Sequence, residues 1–493
     1  MKTAAVISEL NPLHSGHAGL FRAAREMGAD SVMTLMSGDF VQRGVPSIVE
    51  RYTRTHMALL AGADLVLSYP VRYATGSAER FAEYAVRILN GLGCVDWLVF
   101  GSESGDVDGL MECAGVLVQE PPEFRERLHA ALRAGRSYPS AASEALPEYA
   151  GLLRDPNNIL GVEYCKALIR TGSSIRPVTV KRLSSMHSDR SIRDSGASAG
   201  AIRSLLLEAG HPGTDRSGGI TQENVHPGTD RSGGITQENV HPGTDRSGGI
   251  SQENVHPGTD RSGGISQENV HPGMDCSGSF SRESSDPGSD QHVYDQTGPD
   301  MSAVDVWTVL SEVIPAEACE VFRQSVEKHG LVRADLFSKL LLEKLWATDD
   351  PAELTQFLDV TDALSRTLIQ RRREFTGWDG FMYLCASRSL TISHVSRACL
   401  HIALSLGRSD QSEGALLTQL LGCRRGANRL VSAVSGGTVP VVARPASPPD
   451  GLSLGQSALL KEEIRLSNLY EVFRSFERGL RPVHACQRVL LKV

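Results

Sequence analysis

Ninety residues in the middle of this 493-residue chain, 211–300, cannot help to build a core. Over residues 211–270 a 15-residue unit, His-Pro-Gly-Thr-Asp-Arg-Ser-Gly-Gly-Ile-Thr/Ser-Gln-Glu-Asn-Val, runs four times, and a degenerate fifth copy starts at His271. Each unit offers one isoleucine and one valine. Ordering a residue's backbone costs about 1–2 kcal/mol, which so little apolar surface does not offset. Stacked β-helical repeats need regular apolar positions and often bound ions. Residues 208–300 therefore read as a disordered tandem-repeat insertion, and ordered structure has to come from 1–207 and 301–493. The same exclusion changes the charge balance. The formal net charge is −8, but the four units carry −4 and residues 271–300 carry −5, which leaves +1 for the rest. A near-neutral body does not exclude a polyanionic partner.

The remaining composition is that of a soluble globular protein, with 40% hydrophobic residues over the whole chain. No apolar run is long enough to cross a membrane, and Lys2 ahead of the first strand does not make a secretory leader. Nine cysteines show no Cys-x-x-Cys pair and no zinc spacing. Reduced, buried thiols in the cytoplasm are the expectation.

In the first arm, short apolar runs alternate with helical periodicity. Residues 4–7 read as a buried strand, Asn11-Pro12 as a turn, and Leu20, Phe21, Ala24 and Met27 as a helix face. Further strands are expected at 31–36, 65–67 and 97–100, with a helix at 78–89. This alternation predicts an α/β fold, a Rossmann-like parallel sheet covered on both faces, whose ligands bind beyond the carboxyl ends of the strands. The first strand–helix junction carries His14-Ser15-Gly16-His17. Two imidazoles three residues apart at a helix N-terminus both face its positive end, and Gly16 admits a phosphate close to the backbone. The pattern points to a nucleotide-phosphate site. Alone it also occurs by chance; its place between strand and helix favours function.

His-x-Gly-His is the signature of the nucleotidyltransferase superfamily, and the blocks that follow it narrow the resemblance. They are Ser37-Gly38-Asp39-Phe40-Val41-Gln42-Arg43-Gly44, Arg54, Ala58-Leu59-Leu60-Ala61-Gly62-Ala63-Asp64-Leu65-Val66, and Tyr73-Ala74 with Ser77-Ala78 and Phe81-Ala82. Val99-Phe100-Gly101-Ser102-Glu103 comes next, then Pro156-Asn157-Asn158-Ile159-Leu160-Gly161-Val162-Glu163-Tyr164, Pro177-Val178-Thr179-Val180-Lys181-Arg182 and Ser198-Ala199-Gly200-Ala201-Ile202-Arg203. In this order the blocks resemble the bacterial tRNA(Met) cytidine acetate ligase family everywhere except in the insertion.

The resemblance implies a two-step reaction: acetate and ATP give acetyl-adenylate and pyrophosphate, and the acetyl group then passes to the wobble cytidine of elongator tRNA(Met) as N4-acetylcytidine. It implies catalytic roles for His14 and His17. The ATP site would include Ile7, Ser8, Glu9, Leu10, Asn11, Pro12, Leu13, His14, Ser15, Gly16, His17, Ala18, Gly19 and Leu20, with Gly101, one of Asn157 and Asn158, Arg182 and Arg203. ATP is a substrate, with Mg2+ accompanying it; the partners are acetate and tRNA, with neither membrane nor DNA. An asparagine amide suits a base or ribose edge and an arginine suits phosphate, although Asn157 and Asn158 also stand where a helix would be capped. Asp39 is read as a residue that positions a substrate or Mg2+, or else as an Asx-turn residue. Arg203 resembles an arginine that closes over the triphosphate; its bland alternative is a helix surface. Glu9 is expected to hold a neighbouring backbone group, with no part in proton transfer.

The second arm reads as a mainly helical domain, 301–493, with helices expected over 304–313, 336–346 and 354–369. Arg371, Arg372, Arg388 and Arg397, interleaved with Trp378, Phe381, His394 and His401, suit an RNA backbone with an occasional stacked base; a solvated helix face is the alternative. Residues 386–391 are thinner in lysine and arginine than in the family, and Ser68-Tyr69-Pro70 lacks its glutamate. Two other functions use the same features: an adenylyltransferase for a small cofactor precursor, and a non-catalytic RNA-binding protein that keeps the fold.

Overall fold

The computed structural model describes residues 1–136, 138–182, 198–208, 305–387 and 389–493. The repeat insertion and Arg388 lie outside the described residues. The first arm contributes strands β1 (Thr3–Ser8), β2 (Ser31–Ser37), β3 (Phe40–Val41), β4 (Val45–Pro46), β5 (Leu65–Tyr69), β6 (Trp97–Ser102) and β7 (Arg176–Lys181). Its helices are α1 (Ser15–Glu26), α2 (Arg51–Leu60), α3 (Val71–Ala74), α4 (Ala78–Leu92), α5 (Val107–Gln119), α6 (Pro122–Arg133), α7 (Tyr138–Ala145), α8 (Pro156–Arg170) and α9 (Ala199–Glu208). The second arm adds α10 (Val306–Val313), α11 (Ala316–His329), α12 (Ser338–Ala347), α13 (Asp362–Arg371), α14 (Trp378–Cys385), α15 (Ile392–Leu404), β8 (Thr418–Cys423), α16 (Asn428–Ser435), β9 (Val441–Val442), α17 (Leu454–Phe476) and β10 (Leu491–Lys492).

The main sheet runs β10-β8-β5-β2-β1-β6-β7, with β9 beside β8. From β5 to β7 all pairings are parallel. Side chains alternate across it as strand geometry dictates. Ile7, Met33, Leu35, Leu67, Leu98 and Phe100 join one core with α4, α5 and α8. Val6, Val32, Met36, Val66 and Val99 join the other with α1, α2, α10 and α11. Burying a side chain such as Phe21 in this layer contributes about 1.5–3 kcal/mol. Order changes direction at β1, whose neighbours β2 and β6 lead to opposite edges. The loops after β1 and β6 therefore open the crevice where doubly wound sheets bind ligands.

Two differences from the sequence reading concern the second arm. It is mainly helical as expected, yet it also completes the sheet: β8 pairs antiparallel with β5, Leu65 opposite Cys423 and Ser68 opposite Gln419. Residues before and after the insertion thus cluster into one compact unit. The ion pairs of Arg72 reinforce the join, reaching Asp410 at 2.7 Å, Glu413 at 2.7 Å and Glu462 at 2.9 Å. The helix expected over 354–369 is broken. A 3-10 turn, Pro351–Gln356, is followed by Asp359 at φ 59, and α13 starts afresh with the Thr361 hydroxyl accepting from Leu364 N at 3.3 Å. The helical spacing of apolar residues continues across a left-handed residue that a continuous right-handed helix does not accommodate. Among the described residues no helix is long and apolar enough to cross a membrane.

Candidate active site

The loop between β1 and α1 is built to hold two imidazoles. His14 is the N-cap of α1, and its Nδ1 accepts from the Gly16 amide at 3.1 Å. His17 returns the arrangement, its Nδ1 accepting from the His14 amide at 3.2 Å. Two side chains thereby satisfy helix-end N–H groups that would otherwise be unpaired, and the rings lie 4.0 Å apart between centroids. A consequence for tautomers follows directly. With both Nδ1 atoms accepting, each neutral ring carries its proton on Nε2 and presents an N–H donor away from the helix. Burial, then Arg182 and Arg203, holds the His14 pKa at about 3. Burial, then His14 and Arg182, holds His17 well below its ordinary value. Both rings are neutral at pH 7.

Gly16 serves this pair. A Cβ there would stand 2.8 Å from His14 Cε1, so the glycine makes room for the ring, a constraint additional to the close phosphate approach read from the sequence.

The rest of the loop is fixed by its neighbours. Arg54, fully buried on α2, donates to the carbonyls of Glu9 at 2.7 Å, Ser37 at 2.9 Å and Val49 at 3.1 Å, and to that of Gly38. Asn11 Oδ1 accepts from Ile48 N at 2.9 Å, while its buried Nδ2 has no partner among the described residues. Arg203 on α9 donates to the Asn11 carbonyl at 2.6 Å, which brings it to the motif. Glu9 Oε1 accepts from Gln42 N at 2.9 Å. Arg182 follows β7 and its side chain lies across Gly101 on β6, 3.2 Å from where a Cβ would stand.

Other expected site residues make bonds within the fold. Asp39 is buried and faces Arg51, its Oδ1 accepting from Arg51 N at 3.3 Å and its Oδ2 lying 3.5 Å from Arg51 Nε. Its carboxylate ties the loop after β2 to the N-terminus of α2. Asn157 donates through Nδ2 to Glu103 Oε1 at 2.6 Å, and Asn158 N donates to Glu103 Oε2 at 2.8 Å. Asn158 Oδ1 accepts from Ser104 N at 3.0 Å. The two asparagines thus tie the N-terminus of α8 to the loop after β6, with the Glu103 carboxylate on the helix's positive end. Among the described residues no group of three histidine, cysteine, aspartate or glutamate side chains could hold a metal ion.

The arginines of the second arm divide. Arg397 pairs with Asp359 at 3.0 Å and Arg372 donates to the carbonyls of Leu345 at 2.7 Å and Thr348 at 2.8 Å, so both guanidiniums are engaged within the fold. Arg371 is half-buried and pairs with Glu374 at 3.3 Å. Trp378 and Phe381 are core residues, 1% and 0% exposed, and neither offers a face to a nucleobase. Their spacing with Met382 and Cys385 is that of a buried helix stripe, a signal present in the sequence. His394 and His401 likewise bond inward, to the carbonyls of Asp359 and Leu358. Arg54 and Glu103 are organisers that the sequence reading noted only as members of blocks, because burial of a charge has no local signature.

Known proteins resemble the chain at the level of family and fold. The profile of the HIGH Nucleotidyl Transferase family matches residues 1–228 and 294–480. The tRNA(Met) cytidine acetate ligase of Acetivibrio thermocellus is 45% identical over 214 residues, 42% of this chain and 52% of the relative. That of Caldicellulosiruptor saccharolyticus is 47% identical over 207 residues, 41% and 52%. These matches span about half the length of the curated relatives. The crystal structure of Thermotoga maritima TmcAL bound with alpha-thio ATP superposes with a TM-score of 0.71 at 22% identity over the whole of both chains, and its apo form with 0.73 at 22% over the same extent.

Proposed function

The chain belongs to the HIGH nucleotidyl transferase family, and from that premise we propose that it is an ATP-dependent tRNA(Met) cytidine acetate ligase. The observation that carries the reading is the pair of neutral, backbone-oriented imidazoles with Arg182 and Arg203 beside them. An acetate oxygen attacks the α-phosphorus of ATP, the bond from that phosphorus to the bridging oxygen breaks, and pyrophosphate leaves. Attack by an anion on an anion needs fixed donors and in-line placement, and no covalent intermediate with the protein. The Nε2–H groups of His14 and His17 donate to the non-bridging oxygens as charge builds there. Arg182, Arg203 and the unpaired Asn11 Nδ2 add donors for the phosphate chain. In the second step the N4 amine of the wobble cytidine attacks the acetyl carbonyl, AMP leaves and the amine loses a proton.

Mg2+ accompanies the nucleotide in this proposal. The carboxylates near the loop do not fit a resident ion, since Glu9 holds the Gln42 amide and Asp39 holds Arg51. The free, mostly buried thiols of the described residues accord with a cytoplasmic enzyme.

The test is acetate-dependent modification of elongator tRNA(Met) with ATP and labelled acetate, followed by nucleoside analysis. N4-acetylcytidine formed only with ATP, acetate and both histidines supports the reading. Pyrophosphate without acetylated tRNA turns the search to a small acceptor, and no turnover leaves a non-catalytic RNA-binding protein.

A further inference from the structure

The hairpin β3–β4 projects Arg43 at its tip, and the hairpin is gripped from two sides. On one side the Gln42 amide donates to Glu9 of the catalytic loop at 2.9 Å. On the other, Ser396 Oγ of α15 donates to the Gly44 carbonyl at 2.9 Å. Gly44 itself, at φ +78, lies so close to α15 that a Cβ would stand 2.3 Å from Arg397 N. At the base, Phe40 is fully buried, 5.3 Å from the Phe337 ring and 6.0 Å from the Tyr470 ring between centroids. A tip held this way by both arms of the chain has little freedom to swing.

Its side chain is the part left available. Arg43 is exposed, and among the described residues its guanidinium has no hydrogen-bond or ion-pair partner. Its field reaches the site: after burial, Arg43 is the largest influence that lowers the proton affinity of Arg203. Arg43, Arg182 and Arg203 therefore bring three cations to one crevice, while the nearby Glu9 carboxylate already serves the Gln42 amide. Such an excess of positive charge suits a polyanion.

We infer that Arg43 is a further phosphate-binding residue of this site, one that takes the outer, β- and γ-, phosphates of the bound nucleotide. The inference rests on the nucleotide reading above. The α-phosphorus has to lie within reach of the paired histidines, so a guanidinium carried outside them on a separate hairpin meets the part of the chain that leaves. Neutralising those oxygens helps pyrophosphate depart. The hairpin's attachment to α15 means that the nucleotide site is assembled by both arms, and the second arm contributes to ATP binding without touching it.

The experiment measures ATP and AMP affinity by calorimetry on the full chain, without acetate or RNA, for wild type, Arg43→Ala and Arg43→Lys. Arg43→Ala is expected to weaken ATP about tenfold to a hundredfold, the usual effect of one charge-assisted contact, and to leave AMP within about twofold. Arg43→Lys recovers part of the loss because the charge remains and the fork geometry does not. Since Arg43 is exposed, the urea midpoint should not move. Unaltered ATP affinity in Arg43→Ala overturns the inference, and so does an equal loss for ATP and AMP. A separate titration of the same variants with elongator tRNA(Met) and no nucleotide keeps RNA apart: a loss confined to that titration overturns the inference too, by assigning the contact to RNA phosphate. A wild-type protein that binds no ATP overturns the nucleotide reading as well, an outcome separable from the others by the wild-type measurement alone.

Discussion

Replacing Gly16 by alanine should separate the stability of α1 from catalysis. The new Cβ would stand 2.8 Å from His14 Cε1 and 3.0 Å from His14 Nδ1. Carbon atoms rest at about 3.5–4.0 Å, so the ring has to retreat by about 0.7–1.2 Å. It is the end of a side chain, and it yields before the backbone does. Two opposing terms then act on folding. Alanine gains at most about 1 kcal/mol over glycine in the first turn of a helix, and weakening the His14 cap loses about 1 kcal/mol. The site has no such compensation, because a donor displaced by about 1 Å costs on the order of 10²-fold in rate. Acetate-dependent pyrophosphate release, followed by a coupled assay at saturating ATP, should fall about a hundredfold in kcat, while the urea unfolding free energy moves by less than about 1 kcal/mol. Activity within threefold of wild type would refute the reasoning. A loss of stability large enough to unfold the protein under assay conditions would refute it equally.

Lowering the pH should destabilise the fold through its buried histidines. Folded His14 titrates at about 3 and His401 at about 4, against 6.5 in an unfolded chain. Unfolding therefore takes up protons below pH 6.5, and the stability these rings confer above that pH is lost as the pH falls towards 4. His401 alone accounts for about 3 kcal/mol, so urea midpoints measured from pH 7 to 4 should decline and His401→Gln should flatten the slope. Arg72→Ala should cost about 3–5 kcal/mol by urea unfolding, because it strips Asp410, Glu413 and Glu462 of their shared, fully buried cation. Excising residues 211–270 should leave acetate activation unchanged, measured by pyrophosphate release, since the repeat's composition gives it too little apolar surface to support the sheet.

Local patterns carried most of the first arm. The strands at 31–36, 65–67 and 97–100 lie inside β2, β5 and β6, and the His-x-Gly-His turn stands at the strand–helix junction where its sequence put it. Periodicity and turn chemistry are short-range properties, and these elements obey them. What escaped was set at long range. Strand β8 reads Thr-Gln-Leu-Leu-Gly-Cys, an apolar run with nothing to announce that its partner is β5, far back in the chain. The same holds for Arg397, whose charge looked available for RNA until Asp359 met it from a different segment. It holds for Asp39, whose role depends on Arg51 turning towards it. Charged residues keep the same letters whether they face solvent or one another, so only the fold distinguishes them.

The strand exchange between arms also sets a timetable for synthesis. Ser68 on β5 receives a hydrogen bond from Thr418, 350 residues later. At about 5–20 residues per second a ribosome takes about 20–70 s to cover that interval. Throughout it the edge of β5, with Leu65, Val66 and Leu67, stands without its neighbour and offers unpaired backbone to any passing strand. Each added copy of the 15-residue unit lengthens the exposure by about 1–3 s, so the number of repeats acts on how long the nascent sheet stays open, whatever it does in the finished protein.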